Sequence, residues 1–209
     1  MFYQLLLGEM EAQAGRKENA FQVILDGAQR LRDETLFQRA IELAVEARQG
    51  DRALSAAKAW RTALPGSTDA LRTQVQLLVA LEKAGELAEP LRSLIQAMPA
   101  KERAAVISGV PRFVTSLPDK AKALAAVEQA LTPFVAASDT RTAALTAIGR
   151  LALSAQKTDQ ALSLARRALA EDPSAPVPVL LAMELMPSQP TAEVLVQGFV
   201  ARPDTPAAM

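Results

Sequence analysis

The sequence of 209 residues contains no cysteine and no histidine. Their absence excludes thiol nucleophiles, imidazole bases, disulfides and the usual zinc ligands. Phosphate-binding glycine motifs are absent as well, because neither GxGxxG nor GxxxxGK followed by Ser or Thr occurs. Acidic residues on amphipathic helices are usually solvated, and no nucleophile accompanies them here. We therefore expect a protein that is not an enzyme and that uses no cofactor and no metal ion.

Aromatic residues make up only 4% of the chain, and 23 Lys and Arg residues are balanced by 23 Asp and Glu residues. A nucleic-acid surface needs a basic surplus on one face, and single-strand binding also needs exposed aromatic rings. We therefore expect no nucleic-acid partner. No apolar run approaches the roughly 20 residues of a membrane span, and the first residues lack the basic region of a signal peptide. The sequence predicts a soluble chain without direct membrane insertion.

Half of the residues are apolar, and many of these are Ala and Leu, which lead the helix-propensity scale. Three glycines, Gly15, Gly50 and Gly85, stand at equal spacing, and each is predicted to end one apolar helical run just before the next begins. Pro65 and Pro99 mark the same period at the ends of second helices. A period of this size is typical of stacked helical repeats. The fold class is therefore predicted to be all-α.

The repeats differ in regularity. The turn from Thr158 to Ala165 matches the segment from Gly50 to Ala57 at Asp, Ala, Leu, Ser and the final Ala. The fourth repeat is irregular, because Gly109 and Pro111 lie inside its first helix and predict a kink or break near Ser108. In the third repeat Asp69 is the predicted N-cap, and in the fourth a helix is predicted to open at Pro118-Asp119. The repeats are predicted at about 1–32, 33–66, 67–99, 100–137, 138–173 and 174–202.

The fifth repeat carries apolar and small residues at the spacing of the tetratricopeptide-repeat (TPR) family, and the chain resembles that family. The matching residues are Leu145, Ile148, Gly149, Ala152, Ala161, Ala168 and Pro173. The resemblance implies a single domain, a right-handed α-solenoid of about six stacked antiparallel helix pairs. It also implies a concave groove, lined mainly by the first helix of each pair, that binds a protein or peptide partner and performs no chemistry. The family's usual aromatics are mostly missing, and Trp60 stands where the fifth repeat has Ala168.

More loosely, the chain is similar to Ala-rich repeat-containing lipoproteins of proteobacterial outer membranes. That similarity implies a bacterial scaffold or adaptor in the periplasm, as part of a longer lipoprotein whose anchor lies outside this chain. The alternative compartment is the cytoplasm.

Six polar residues on predicted first helices are the candidate partner-binding positions. Gln38, Glu42 and Glu46 recur every four residues and share one helix stripe; the alternative is that they form an ordinary solvated face. On the corresponding helices of the third and fifth repeats the candidates are Thr73, Thr146 and Arg150. A guanidinium in a groove can hold a carboxylate with two hydrogen bonds, although an ordinary surface arginine is the simpler interpretation.

Large apolar residues at two places carry alternative interpretations. Trp60 is expected to fill a gap between helix pairs, or else to anchor a partner. The last predicted helix presents Leu195, Val196, Phe199 and Val200 without a polar cap, and 202–206 resembles the connector 172–176. We therefore expect either a longer array, of which this chain is a fragment, or a homo-oligomer. The alternative function is accordingly a self-assembling structural protein that dimerises through this end.

Overall fold

The computed structural model describes residues 2–201, and every regular element in that range is helical. The all-α prediction is therefore confirmed. Two short 3-10 helices, Ala84–Glu86 and Pro190–Ala192, lie beside the α-helices. The α-helices are α1 (Phe2–Gln13), α2 (Lys17–Leu31), α3 (Glu34–Glu46), α4 (Gly50–Ala63), α5 (Thr68–Ala80), α6 (Ala88–Ala97), α7 (Ala100–Val114), α8 (Lys120–Ala136), α9 (Arg141–Ser154), α10 (Thr158–Glu171), α11 (Pro176–Leu185) and α12 (Glu193–Val200).

The chain divides into two compact units between Lys83 and Ala84. In the first unit α1 packs on α2, α2 on α3, α3 on α4 and α4 on α5, so that consecutive helices form antiparallel pairs. The rings of Phe37 and Trp60 stack at a centroid distance of 6.1 Å and an interplanar angle of 3°. Both side chains are fully buried. The interpretation of Trp60 as a core residue, and not as an exposed partner anchor, is confirmed.

Turns inside the helix pairs share one hydrogen-bond pattern. Gly15, Arg48, Glu82 and Gln156 each adopt positive φ, between 56° and 79°. The following residue then donates its N–H to a carbonyl five positions earlier, as Gln49 does to Ala44 at 2.8 Å. This is the Schellman motif, which satisfies carbonyls at the helix end. What recurs from repeat to repeat is therefore this left-handed capping conformation, whichever residue type adopts it.

The expectation that Gly50 and Gly85 end helices is wrong. Gly50 is the first residue of α4, and Gly85 lies in the 3-10 helix. Gly50 is instead a close-packing position, because an added Cβ would lie 2.4 Å from Cδ2 of Leu81. The left-handed positions of these two turns belong to Arg48 and Glu82, which cost more in that conformation than glycine would.

Helix N-caps agree with the sequence except in the third repeat. Asp119 accepts a hydrogen bond from the N–H of Lys122 at 2.9 Å and caps α8 as predicted. The cap of α5 is Ser67, whose Oγ accepts from the N–H of Ala70 at 3.2 Å. The prediction of Asp69 as the cap is wrong, because Asp69 already lies inside the first turn of the helix.

In the second unit α9 is central, packing against α7, α8, α10 and α11. The predicted break near Ser108 does not occur, since α7 continues through Pro111 to Val114. Pro111 lies only three residues before the helix ends, so its missing N–H removes one late hydrogen bond, and its buried ring contributes to the core. Gly149 of α9 allows the close approach of α11, because an added Cβ would lie 2.6 Å from Cδ2 of Leu181.

The irregularity of the fourth pair lies in packing. Within residues 2–201, α8 packs on α6 and α9 while α7 packs on α9, and α7 and α8 are not among the closely packed helix pairs. Phe134 is buried and fills the core, whereas Phe113 is more than a third exposed. The fourth pair is therefore opened between its own two helices.

The sixth pair is short. None of the described residues of α12 is buried, and Val194 and Val200 are 68% and 66% exposed. On α11, Leu180 and Met183 are also exposed. The predicted connector 202–206 lies outside the described residues. No helix within residues 2–201 has the length and apolarity needed to cross a membrane.

Candidate functional site

The predicted stripe of the second repeat lies on α3, where Gln38, Glu42 and Glu46 are all exposed. Both carboxylates have partners within the unit. Glu42 pairs with Arg39 at 3.4 Å, and Glu46 pairs with Lys17 of α2 at 2.9 Å. The hydrogen bond from Lys17 lowers the pKa of Glu46. In these pairs the side chains of Glu42 and Glu46 remain 61% and 50% exposed, so the stripe can still accept hydrogen bonds from a partner.

Arg39 carries a second, stronger interaction that the sequence did not predict. Its Nε and Nη2 each donate to the carboxylate of Glu9 on α1 at 2.9 Å. This two-bond geometry is the strongest form of a guanidinium–carboxylate pair. It lowers the pKa of Glu9 and raises the pKa of Arg39, and in both residues the hydrogen bond is the largest cause.

Thr73 lies on α5 and is half-buried. In this unit α5 packs mainly on α4, and within residues 2–201 no hydrogen bond joins Thr73 to the stripe of α3. Thr146 and Arg150 lie on α9 in the second unit. Thr146 is only 3% exposed, and its hydroxyl donates to the carbonyl of Thr142 at 2.7 Å. Arg150 donates from Nη2 to Glu184 of α11 at 3.3 Å, so it links two neighbouring pairs.

A groove of about 520 Å³ runs across the first helices of the second unit. We call it the first-helix groove. Its residues come from α7, α9 and α11, from the segments that join α8 to α9 and α10 to α11, and from the last residue of α10. They are Ala104, Ser108, Ser138, Asp139, Thr142, Ala143, Thr146, Glu171, Asp172, Ala175, Val177 and Pro178. The groove contains one predicted residue, Thr146, and Arg150 lies outside it.

The first-helix groove is lined by hydroxyls and carboxylates. Glu171 is paired with Arg141 at 2.7 Å, and Asp172 accepts from the N–H and hydroxyl of Ser174 at 3.0 and 2.7 Å. Hydroxyls can both donate to and accept from peptide groups, which suits an extended chain. Within residues 2–201 no cluster of His, Cys, Asp and Glu side chains is placed to hold a metal ion. The polar groups of the groove can form hydrogen bonds, and Val177, Pro178 and three alanines give it an apolar part as well.

A second set of residues, which the sequence did not predict, links the turns of successive repeats. Arg52 pairs with Glu18, Lys83 pairs with Asp51 at 2.7 Å, and Gln189 donates to Asp159 at 2.6 Å. The three acceptors lie in the first turns of α2, α4 and α10. The match between the two turn segments contained the signal, because Asp51 and Asp159 are its shared acidic residues.

Packed helix pairs with Schellman turns and polar links between neighbouring pairs give this chain a TPR-like helical-repeat fold. No protein-family model and no curated protein matches it. It is similar to the structure of MamA, residues 41 to the end, from Desulfovibrio magneticus RS-1, with 13% identity, a TM-score of 0.39 and coverage of 79% of this chain and 90% of that one. It is also similar to a thermophilic TPR protein from Thermus thermophilus, with 19% identity, a TM-score of 0.37 and coverage of 92% of this chain and 98% of that one.

These likenesses concern the fold alone. Both TM-scores are low, so the similarity gives no information about the partners of this chain.

Proposed function

We propose that the protein is a non-enzymatic scaffold or adaptor that binds a protein or peptide partner along its first helices. The observation that carries the proposal is the first-helix groove, a ligand-sized space between three successive first helices of the second unit. Its hydroxyls come mainly from α7 and α9, its carboxylates from the end of α10 and the connecting segments, and its apolar side from α11. The exposed stripe of Gln38, Glu42 and Glu46 offers similar groups on α3 of the first unit. The periplasm, as part of a longer lipoprotein, is our first proposed compartment, and the cytoplasm is the alternative.

Recognition by such a surface depends on many modest contacts. An extended peptide has unpaired N–H and C=O groups, and the hydroxyls of Ser108 and Thr142 and the carboxylate of Asp139 can pair with them or with basic side chains. Thr146 is buried at the floor, where its methyl and hydroxyl shape the groove. Thr73 on α5 and Arg150 on α9 remain proposed partner-binding residues, although neither lines the first-helix groove.

Site-specific photo-crosslinking in the source cells tests the proposal. A benzophenone amino acid is placed at Gln38 or Ser108 on first helices, and at Ser55 or Ala121 as exposed controls on second helices. We expect the same partner to be crosslinked from the first-helix positions and not from the controls. Equal crosslinking from all four positions, or from the controls alone, would contradict the proposal.

The alternative function is self-assembly through the last helix pair. It is favoured by one observation, the exposure of Leu180, Met183, Val194 and Val200 on α11 and α12. Apolar surface of this kind is more often covered in a functional assembly than left in water. Sedimentation velocity over a wide concentration range tests it. We expect a dimer that Leu180→Glu converts to a monomer; a monomer at every concentration would refute self-assembly.

A further inference from the structure

A second groove, of about 380 Å³, lies between the second helices α8 and α10 of the second unit. Its floor consists of Leu145 and Ile148 of α9 and Leu164 of α10, all of them buried. We call it the second-helix groove. Its walls are Glu128, Thr132 and Val135 of α8 with Gln160, Ser163 and Arg167 of α10. The volume lies in the range of roughly 300–1,000 Å³ that ligand pockets occupy.

In the first unit the corresponding second helices, α2 and α4, pack on each other. We align α4 with α10 by matching the left-handed residues that precede them, Arg48 and Gln156. In this alignment Arg167 corresponds to Ala59, and Leu164 corresponds to Ala56. The two alanines allow close helix packing, whereas Leu164 and Arg167 require more room. The groove is therefore a feature of the irregular fourth and fifth pairs.

A displaced hydrogen bond explains the opening. Arg52 of α4 pairs with Glu18, the second residue of α2. Gln160 occupies the equivalent position in α10 and donates to Glu128, the ninth residue of α8. At 1.5 Å per residue, this difference amounts to a shift of about 10 Å along α8. Apart from this contact, α8 and α10 are not among the closely packed helix pairs within residues 2–201, and the space between them extends down to the floor residues of α9.

Charge at the groove selects the kind of ligand. Arg167 is exposed at one wall, and within residues 2–201 its guanidinium has no hydrogen-bond or ion-pair partner. The acidic residue of the groove, Glu128, keeps its negative charge but is held by the hydrogen bond from Gln160, so a ligand carboxylate would have to lie on the side of Arg167. A free guanidinium beside an apolar floor favours a ligand that combines a carboxylate with an apolar group.

We propose that the second-helix groove binds a peptide segment of a partner protein, with an apolar side chain over Leu145, Ile148 and Leu164 and a neighbouring Asp or Glu paired with Arg167. This surface is walled by the second helices α8 and α10 over a floor that includes two residues of α9, and it shares no residue with the first-helix groove. Binding here is therefore independent of the scaffold function proposed above, and either can fail alone.

Selection from a display library of random dodecapeptides tests the proposal, with the whole chain as target. Enriched peptides are expected to carry an Asp or Glu beside a large apolar residue. Their affinity should fall by at least about fivefold for Arg167→Glu, because attraction becomes like-charge repulsion. It should also fall for Ser163→Leu, which narrows the groove. Arg166→Glu is the matched control, since Arg166 is equally exposed and unpaired within residues 2–201 but does not line the groove.

Any one of three outcomes would overturn the proposal. The first is that the selection enriches no peptide, and the second is that it enriches peptides that lack a carboxylate. The third outcome is that Arg166→Glu and Arg167→Glu reduce the affinity equally. Loss of affinity with Ser108→Tyr and not with Arg167→Glu would place the peptide in the first-helix groove instead. Helical content, followed by circular dichroism, must be the same in every variant for the comparison to count.

Discussion

Replacing Gly149 by alanine should destabilise the protein, although alanine is the better helix former. An alanine Cβ at this position would lie 2.6 Å from Cδ2 of Leu181, 3.4 Å from Cβ of Leu164 and 3.7 Å from the carbonyl oxygen of Ala161. Leu181 is fully buried, so its side chain has no open space into which it can turn. Close contact between α9 and α11 therefore depends on the absence of a side chain at residue 149.

Two opposing terms set the size of the effect. In a helix interior alanine is favoured over glycine by about 1 kcal/mol. Overpacking a filled core typically costs about 1–3 kcal/mol. The free energy of unfolding should therefore fall by about 0–2 kcal/mol for Gly149→Ala. Gly109 provides the matched control, because it lies inside α7 with no atom within 4 Å of an added Cβ, and Gly109→Ala should raise the free energy of unfolding by about 1 kcal/mol.

The measurement is urea unfolding followed by circular dichroism, together with amide hydrogen exchange of α9 and α11, which reports local stability in a repeat array. Exchange should become faster in both helices of Gly149→Ala. In a Leu181→Ala background the same substitution should instead stabilise, because the clashing methyl group has been removed. If Gly149→Ala stabilises the otherwise unchanged protein as much as Gly109→Ala does, the close packing of α9 and α11 is refuted.

Three further predictions concern the turns, the core and the ion pairs. Gln156→Gly should stabilise by about 0.5–1 kcal/mol and Gly15→Ala should destabilise by about 1 kcal/mol, because both residues have positive φ; opposite signs in urea unfolding would contradict the Schellman assignment. Trp60→Ala should cost about 3–5 kcal/mol, and the fluorescence of Trp60 should be blue-shifted and resist acrylamide, whereas ready quenching would show an exposed ring. Glu9→Gln should cost about 0.2–1 kcal/mol at neutral pH, since the pair with Arg39 is partly exposed. Because the folded-state pKa of Glu9 is lowered from its ordinary value of 4.5, this difference should be complete above that pH, shrink as the pH falls further and vanish only below the folded-state pKa. A difference that does not shrink with falling pH would exclude the ion pair as its cause.

The helical architecture follows from the sequence because apolar residues at helical spacing are a strong local signal. The least accurate sequence-based prediction was the assignment of glycines to the turns. Arg48, Glu82 and Gln156 show that the left-handed position can be held by ordinary residues when two capping hydrogen bonds compensate for the backbone cost. At Pro111 a break was one of the two predicted outcomes and does not occur, because the cost of a missing N–H depends on how much helix follows.

The candidate site was less predictable than the fold. Helix periodicity correctly places Gln38, Glu42 and Glu46 on an exposed stripe, but it cannot say that Glu42 and Glu46 already have basic partners. Thr146 lies in the first-helix groove, yet Ser108 and Asp139, which complete that groove, come from other helices and loops. Such groupings depend on how neighbouring pairs pack, and the packing of the fourth pair is irregular in a way that no local pattern encodes.

The polar links between successive turns have a consequence for how such a chain can change in evolution. Each link joins a residue in the first turn of one second helix to a residue about one repeat later, as in Glu18 with Arg52 and Asp51 with Lys83. Insertion of a single residue into a turn would separate that turn from both of its neighbours at once. Duplication or loss of a whole repeat would preserve every remaining pair. Length variation among descendants of this gene should therefore occur in complete repeats.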